Sequence, residues 1–150
     1  TKQLGLVIGV GFPNKISEIS AYFNKNLNLY FPNIILPTAF IAKHISLDKG
    51  NIITSGVVIS TDVQIGSYNL FNWNVTIGHD TLIGNCNVFN PGSNISGNII
   101  LGSRVLVGTG SQILQGLTIC DDVIIGAGAV VTKDIKEPGT YVGIPARRIK

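Results

Sequence analysis

Hydrophobic positions recur along this chain with a period of six. From Ile35 to Val131 every sixth residue is aliphatic or aromatic, seventeen positions in unbroken register. The residue after each is often glycine, as at Gly66, Gly78, Gly84, Gly102, Gly108 and Gly126. Two residues before each stands mostly Val, Ser, Thr, Ala or Asn. An α-helix repeats its faces every 3.6 residues and cannot produce this period. Six-residue repeats instead signal an all-β solenoid, a parallel β-helix in which the large residue fills the interior and the small one packs beside it. The glycine is expected to accommodate the corner. Three hexads per coil give between five and six coils over residues 35–136, each pairing its backbone with the coils above and below.

The first 34 residues follow another pattern. Residues 4–11 (LGLVIGVG) read as a buried strand running into a glycine turn. Residues 13–25 carry Pro13 at a helix start, with Ile16, Ile19 and Phe23 at helical spacing. Residues 28–35 read as a second extended stretch broken by Pro32. This divides the chain into a partial α/β (Rossmann-like) segment, 1–34, and a solenoid with its tail, 35–150. A β-α-β piece of this size is too small to hold a core of its own, and it is expected to cap one end of the solenoid. The Gly9-x-Gly11 turn is either a tight turn or a phosphate-facing loop. At the other end the period breaks at Asp134–Gly139, and YVGIPARRIK is expected to leave as a tail. The chain has no methionine and begins at Thr1, which suggests a processed, trimmed or fragmentary N-terminus, with the rest of any such α/β domain upstream.

Composition narrows the function. An apolar share of 45% with 13% charged residues suits an ordered solenoid. A net charge of +3 makes no case for nucleic acid. No apolar run reaches the length of a membrane span, and no signal-peptide layout opens the chain. Cys86 and Cys120 occupy different hexad positions and are expected as free thiols in a reducing cytoplasm.

Only two histidines are present, too few for a three-histidine metal site; no metal is expected. His44 reads as a surface residue. His79, third in the hexad IGHDTL, belongs at a corner and points out of the stack, either as a solvated side chain or as a general base. Asp80 follows and would orient the imidazole or stabilise its charged form. Eighteen residues after His79, at the same corner one coil on, is Gly97. Its N–H would donate to a developing oxyanion, unless the glycine serves corner geometry alone. No Ser or Cys stands beside His79 as a nucleophile, which favours direct transfer without an acyl-enzyme.

The stretches FNWNVTIGHDTLIGNCNVFNPGSNISGNIILG, GTGSQILQGLTICDDVIIGAGAVVTKDI and VGIPAR together resemble the left-handed β-helix acetyltransferases. The resemblance is to the branch of sialic-acid O-acetyltransferases and nucleotide-sugar N-acetyltransferases, including enzymes that acetylate UDP-4-amino sugars. It implies left-handed coils, acetyl-CoA as donor, a sugar or nucleotide-sugar acceptor and a homotrimer. By this resemblance His79 matches the catalytic base, Asp80 its acidic companion, Asn72 a polar residue holding the acceptor, and Gly97 the backbone donor to the thioester carbonyl. Thr109, Thr118 and Ala127 match positions flanking the pantetheine arm. Lys133, Arg147 and Arg148 would meet the coenzyme's phosphates, or form a solvated basic tail. The chain departs from the family at three places. Val88 replaces a frequent second histidine. Trp73 replaces a small residue, either to stack on a sugar or to fill a subunit contact. Asn14 and Lys15 stand where an arginine usually follows the glycine turn. The rival readings are another acyltransferase with a non-sugar acceptor such as serine, and a non-catalytic β-helix scaffold. A scaffold of the ice-binding kind would show an ordered outward row of threonines, whereas Thr54, Thr61, Thr76, Thr81, Thr109 and Thr118 are scattered.

Overall fold

The computed structural model describes residues 3–150; Thr1 and Lys2, the start of the α/β segment, lie outside the described residues. From Ile34 onward the chain winds as a three-sided prism of two-residue strands, a left-handed β-helix of hexapeptide repeats with about six turns. The first face stacks strands from Ile34–Ile35 through Ile52–Ile53, Leu70–Phe71, Val88–Phe89 and Leu106–Val107 to Val123–Ile125. The second runs from Phe40–Ile41 to Val130–Val131, and the third from Ser46–Leu47 to Thr118–Ile119. Within these stacks successive strands pair in parallel at a spacing of eighteen residues, as Thr76 with Asn94 and Leu82 with Ile100.

The hexad pattern becomes the core directly. Ile53, Phe71, Phe89, Val107 and Ile125 line the interior of the first face, and all are buried. Phe71 and Phe89 stack in parallel with centroids 4.6 Å apart and an interplanar angle of 4°. The smaller residues two positions earlier are buried as well, including polar ones. Asn51, Asn69 and Asn87 form a ladder inside one corner. Each side-chain oxygen accepts from the backbone N–H eighteen residues on, at 2.9 Å, 2.9 Å and 2.7 Å. Each side-chain amide donates to a carbonyl fifteen residues on, Gly66, Gly84 or Gly102, at 2.9–3.0 Å. These buried amides are tolerated because each side-chain oxygen and each side-chain nitrogen of the ladder has a hydrogen-bond partner.

The corners differ from the sequence expectation. The residues that turn the chain are not the glycines one place after the large residue but those three places after it. Every sixth residue from His44 to Gly128 has a positive φ, among them Asp62, Asn74, Asp80, Asn98 and Asp122. Asn, Asp and Gly bear this left-handed conformation at least cost. The earlier glycines answer to close approach between coils: a Cβ on Gly84 would lie 2.7 Å from the Gly102 carbonyl oxygen.

Two further expectations are corrected. The tail does not leave the prism. Gly139–Val142 adds a parallel strand beside Val123–Ile125, and Arg147–Arg148 folds back antiparallel on Tyr141 and Val142. The α/β piece does not cap an end; it lies on a flank. Leu4–Gly5 pairs in parallel with Leu29–Tyr30, while Ile34–Ile35 belongs to the first coil. Helix α1, Pro13–Phe23, begins with proline where a missing N–H costs nothing. It buries Ile16 against Tyr68, Cys86 and Val88. Tyr68 donates to Asn24 at 2.8 Å and its ring meets Phe31 edge-on. Both cysteines are free; Cys86 is buried beside Ser20, and desolvation pushes its thiol upward in pKa against the opposing pull of the Ser20 hydrogen bond.

Candidate active site

The period places His79 where the second face turns into the third. One coil is fixed to the next here by backbone bonds: Asn98 N–H donates to the His79 carbonyl at 2.7 Å, and Asp80 N–H to the Thr61 carbonyl at 3.2 Å. Thr81, wholly buried, donates its hydroxyl to the His79 carbonyl at 3.3 Å. The backbone beneath the imidazole is therefore rigid, while the ring itself is about half exposed, at 51%.

His79 Nδ1 lies 2.6 Å from Asp80 Oδ2. A carboxylate only accepts, so Nδ1 carries the proton and a neutral ring keeps its lone pair on Nε2. The positive φ of Asp80 belongs to the turn itself, so the corner presents the carboxylate beside the ring. Gly97 lies directly over the histidine: a Cβ built there would be 2.7 Å from Nε2. Among the described residues no protein acceptor takes the Gly97 N–H. An imidazole, a carboxylate bonded to it and an uncommitted backbone N–H thus meet at one prism edge. His44, also at this edge, is exposed and 3.4 Å from Asp62.

The other sequence-predicted residues fall into separate groups. Lys133 continues the line of His79 and Gly97 at eighteen-residue steps. It shares a cleft of about 270 Å³ with Arg147, Arg148, Thr132 and Asp134 at the closing hairpin. Arg148 is paired with Glu137 at 3.0 Å, whereas Lys133 and Arg147 have no carboxylate partner among the described residues. Thr118 is on the third face, and its N–H is taken by Asp134 at 3.0 Å. Asn72, Trp73, Thr109 and Ala127 lie along the opposite edge of the second face, where the first face turns into it. Asn72 reaches Asn90 at 3.4 Å, and Trp73 is 62% exposed. One copy of the chain therefore does not bring Asn72 and Trp73 to His79.

Val88 is completely buried in the contact with α1, so this position packs the flank and faces no ligand. The same docking creates a cleft of about 570 Å³ between Phe12, Asn14 and Lys15 at the helix start and Arg104, Leu106, Asp122 and Ile124 of the prism. The hexad reading missed it. A signal was available: outward positions of the first face, Ile34, Ile52, Leu70, Val88, Leu106 and Ile124, are apolar in every coil. An outward apolar row of this length marks a covered surface. On the rim Arg104 meets Asp122 at 2.7 Å and Asp121 at 3.1 Å. Its hydrogen bond holds the Asp122 carboxyl below the usual range.

Residues 98–133 match the bacterial transferase hexapeptide family of six repeats. No curated protein sequence matches the chain. Among solved structures, PerB from Caulobacter crescentus, crystallised with CoA and GDP-perosamine, is 27% identical. The match covers 97% of this chain and 70% of that one, with a TM-score of 0.93. The acetyltransferase domain of PglB from Neisseria gonorrhoeae is 26% identical over 95% of this chain and 69% of its own, with a TM-score of 0.91. WeeI from Acinetobacter baumannii is 25% identical over 99% and 72%, with a TM-score of 0.93. In its repeats the chain matches the bacterial transferase hexapeptide family over residues 98–133, and in its whole architecture it is similar to left-handed β-helix sugar acetyltransferases.

Proposed function

We propose that this protein transfers an acetyl group from acetyl-CoA to an amino group of a nucleotide-linked sugar, with His79 as general base. The observation that carries the reading is the edge itself: Asp80 holds Nδ1 at 2.6 Å, Nε2 is left as the basic nitrogen, and the Gly97 N–H is uncommitted. The solved relatives supply the substrate class, since PerB was crystallised with CoA and GDP-perosamine and PglB with acetyl coenzyme A.

The reaction needs three things from the chain. His79 accepts a proton at Nε2 as the sugar nitrogen bonds to the acetyl carbonyl carbon. The Gly97 N–H donates to the carbonyl oxygen while it bears negative charge. The carbon–sulfur bond then breaks, and CoA leaves as the thiolate, which takes up the proton from the imidazolium. Asp80 stabilises that imidazolium. Lys133 and Arg147 supply the cationic lining suited to the coenzyme's phosphates, and the 270 Å³ cleft they share fits such groups in charge. Thr109, Thr118 and Ala127 would flank the pantetheine arm, with Asn72 and Trp73 on the acceptor side.

Because Asn72 and Trp73 occupy the far edge of the second face, a complete site needs a second copy whose edge lies against His79. A homotrimer with closed three-fold symmetry meets that requirement. Residues 1–34 then form the α/β unit and residues 35–150 the transferase prism, working in the cytoplasm, where acetyl-CoA and nucleotide sugars are made.

The test is CoA release measured against UDP-, GDP- and dTDP-linked 4-amino sugars beside free sialic acid. Turnover is expected with a nucleotide-linked amino sugar, and His79→Ala is expected to lower it by at least about a hundredfold with an unchanged circular dichroism spectrum. Absence of CoA release with every acceptor, or near-normal turnover in His79→Ala, overturns the proposal.

A further inference from the structure

The corner column that contains the histidine reads Lys43, Thr61, His79, Gly97, Gln115 and Lys133. Gly97 alone has no side chain, and it occupies the coil immediately above the imidazole. A Cβ built on Gly97 would lie 2.7 Å from His79 Nε2, 2.8 Å from Cε1 and 3.0 Å from Cδ2. An approach in the ring plane along the Nε2 direction would leave the two carbons markedly farther than the nitrogen. Three nearly equal distances place that point over the flat face of the ring. The histidine therefore lies face-down in the space a side chain would take.

A second glycine makes the seat deep enough. A Cβ on Gly78 would collide with the Gly97 amide nitrogen and lie 2.5 Å from the Ser96 carbonyl carbon. Without one, the histidine's own coil closes onto the Gly97 backbone. Neither glycine has the positive φ of the turn positions, so neither is required by backbone conformation. Sterics at the ring and between the coils account for both.

We propose that Gly78 and Gly97 form a seat for the imidazole and that Gly97 is a positioning residue. The absent side chain sets the ring plane that allows Nδ1 to reach Asp80 and leaves the Nε2 edge facing outward. This rests on the reading of His79 as the base, and it is separate from the donor role of the Gly97 N–H, which alanine would keep. In Gly97→Ala the methyl falls well inside van der Waals contact with three ring atoms. The side chain, half exposed, escapes by rotating toward solvent and gives up the bond to Asp80.

The experiment is nitrogen-15 NMR of imidazole-labelled protein, with the His79 signals assigned by their loss in His79→Ala. In the unaltered protein the neutral ring is expected as the Nδ1–H tautomer, held by Asp80. In Gly97→Ala it is expected to revert to the Nε2–H tautomer that free histidine favours. In acetyl transfer the same variant should lose at least about tenfold in kcat, while KM for acetyl-CoA moves less than about twofold. An unchanged tautomer in Gly97→Ala overturns the seat, whatever reaction the protein catalyses. If Gly97→Ala folds poorly, the comparison moves to the His79→Ala background. There the added Gly97→Ala is expected to leave Tm unchanged, because the ring it would strike is gone. An equal loss of Tm in both backgrounds would assign the glycine to coil packing and overturn the proposal.

Discussion

Asp80 serves two purposes with one residue. Its backbone has φ +54° at the turn, and its carboxylate holds His79 at 2.6 Å. Asparagine tolerates the left-handed conformation about as well as aspartate does, so Asp80→Asn separates chemistry from turning. Its amide oxygen still accepts from Nδ1–H, but it carries no charge to stabilise the imidazolium. We expect kcat to fall by roughly tenfold to a hundredfold, with Tm essentially unmoved, measured by steady-state kinetics beside thermal unfolding. Wild-type kcat in this variant would leave Asp80 a turning residue only. The outward corner placement of His79 beside Asp80 was legible in the sequence because the two are neighbours at a counted hexad position. The seat formed by Gly97 was not, since hexad arithmetic gives which residues stack and not which way a ring lies on its neighbour.

The coil is the element here, and its interior carries both apolar and polar ladders. Asn69 is central to one of them: its oxygen accepts from the Asn87 N–H at 2.9 Å, and its amide reaches Gly84 and Asn51 at 3.0 Å each. Asn69→Ala strands several buried groups together, and we expect a loss of about 3 kcal/mol, read from the denaturant midpoint. Ser93 is the contrasting case. It is fully buried, and its hydroxyl has no hydrogen-bond partner among the described residues, so Ser93→Ala should leave stability unchanged or raise it slightly. The hexad period made the coils and their inward large residues legible. The turning residues were misassigned because glycine is conspicuous in a sequence, whereas the left-handed position is shared here among Asp, Asn, His, Tyr, Cys, Arg and Gly. Residues 28–35 were read as an extended stretch broken by Pro32, but nothing in that stretch shows that its two parts, Leu29–Tyr30 and Ile34–Ile35, pair in different sheets.

At the scale of the molecule, α1 docks beside a corner whose rim is the Arg104 cluster. Arg104 and Asp122 remain 32% and 43% exposed at their side chains, so the pair is worth at most about 1 kcal/mol. Because the hydrogen bond to Arg104 lowers the Asp122 pKa, its contribution is complete above the ordinary carboxylate range and disappears as pH falls through the folded-state value. Arg104→Ala should therefore be less stable than the unaltered protein near neutrality, and the two unfolding curves should converge in acid. Exposed apolar residues on the other faces, Val58, Leu82, Ile100 and Leu114, with Trp73 at the edge, suit burial against copies of the chain. Sedimentation at micromolar concentration is expected to give a trimer; a monomer would remove the shared site. The flank docking escaped the hexad reading because attention to inward positions hides an outward apolar row. The closing hairpin escaped because Pro138, Gly139 and Gly143 look like exit signals out of context. The single-file arrangement of His79, Gly97 and Lys133 has one more implication. Their separations come only in whole rungs of the winding, each roughly 4.8 Å. Under the proposed function, the number of windings between His79 and Lys133 is thus a fixed gauge for the span of the donor molecule, adjustable in evolution only by gaining or losing eighteen residues at a time.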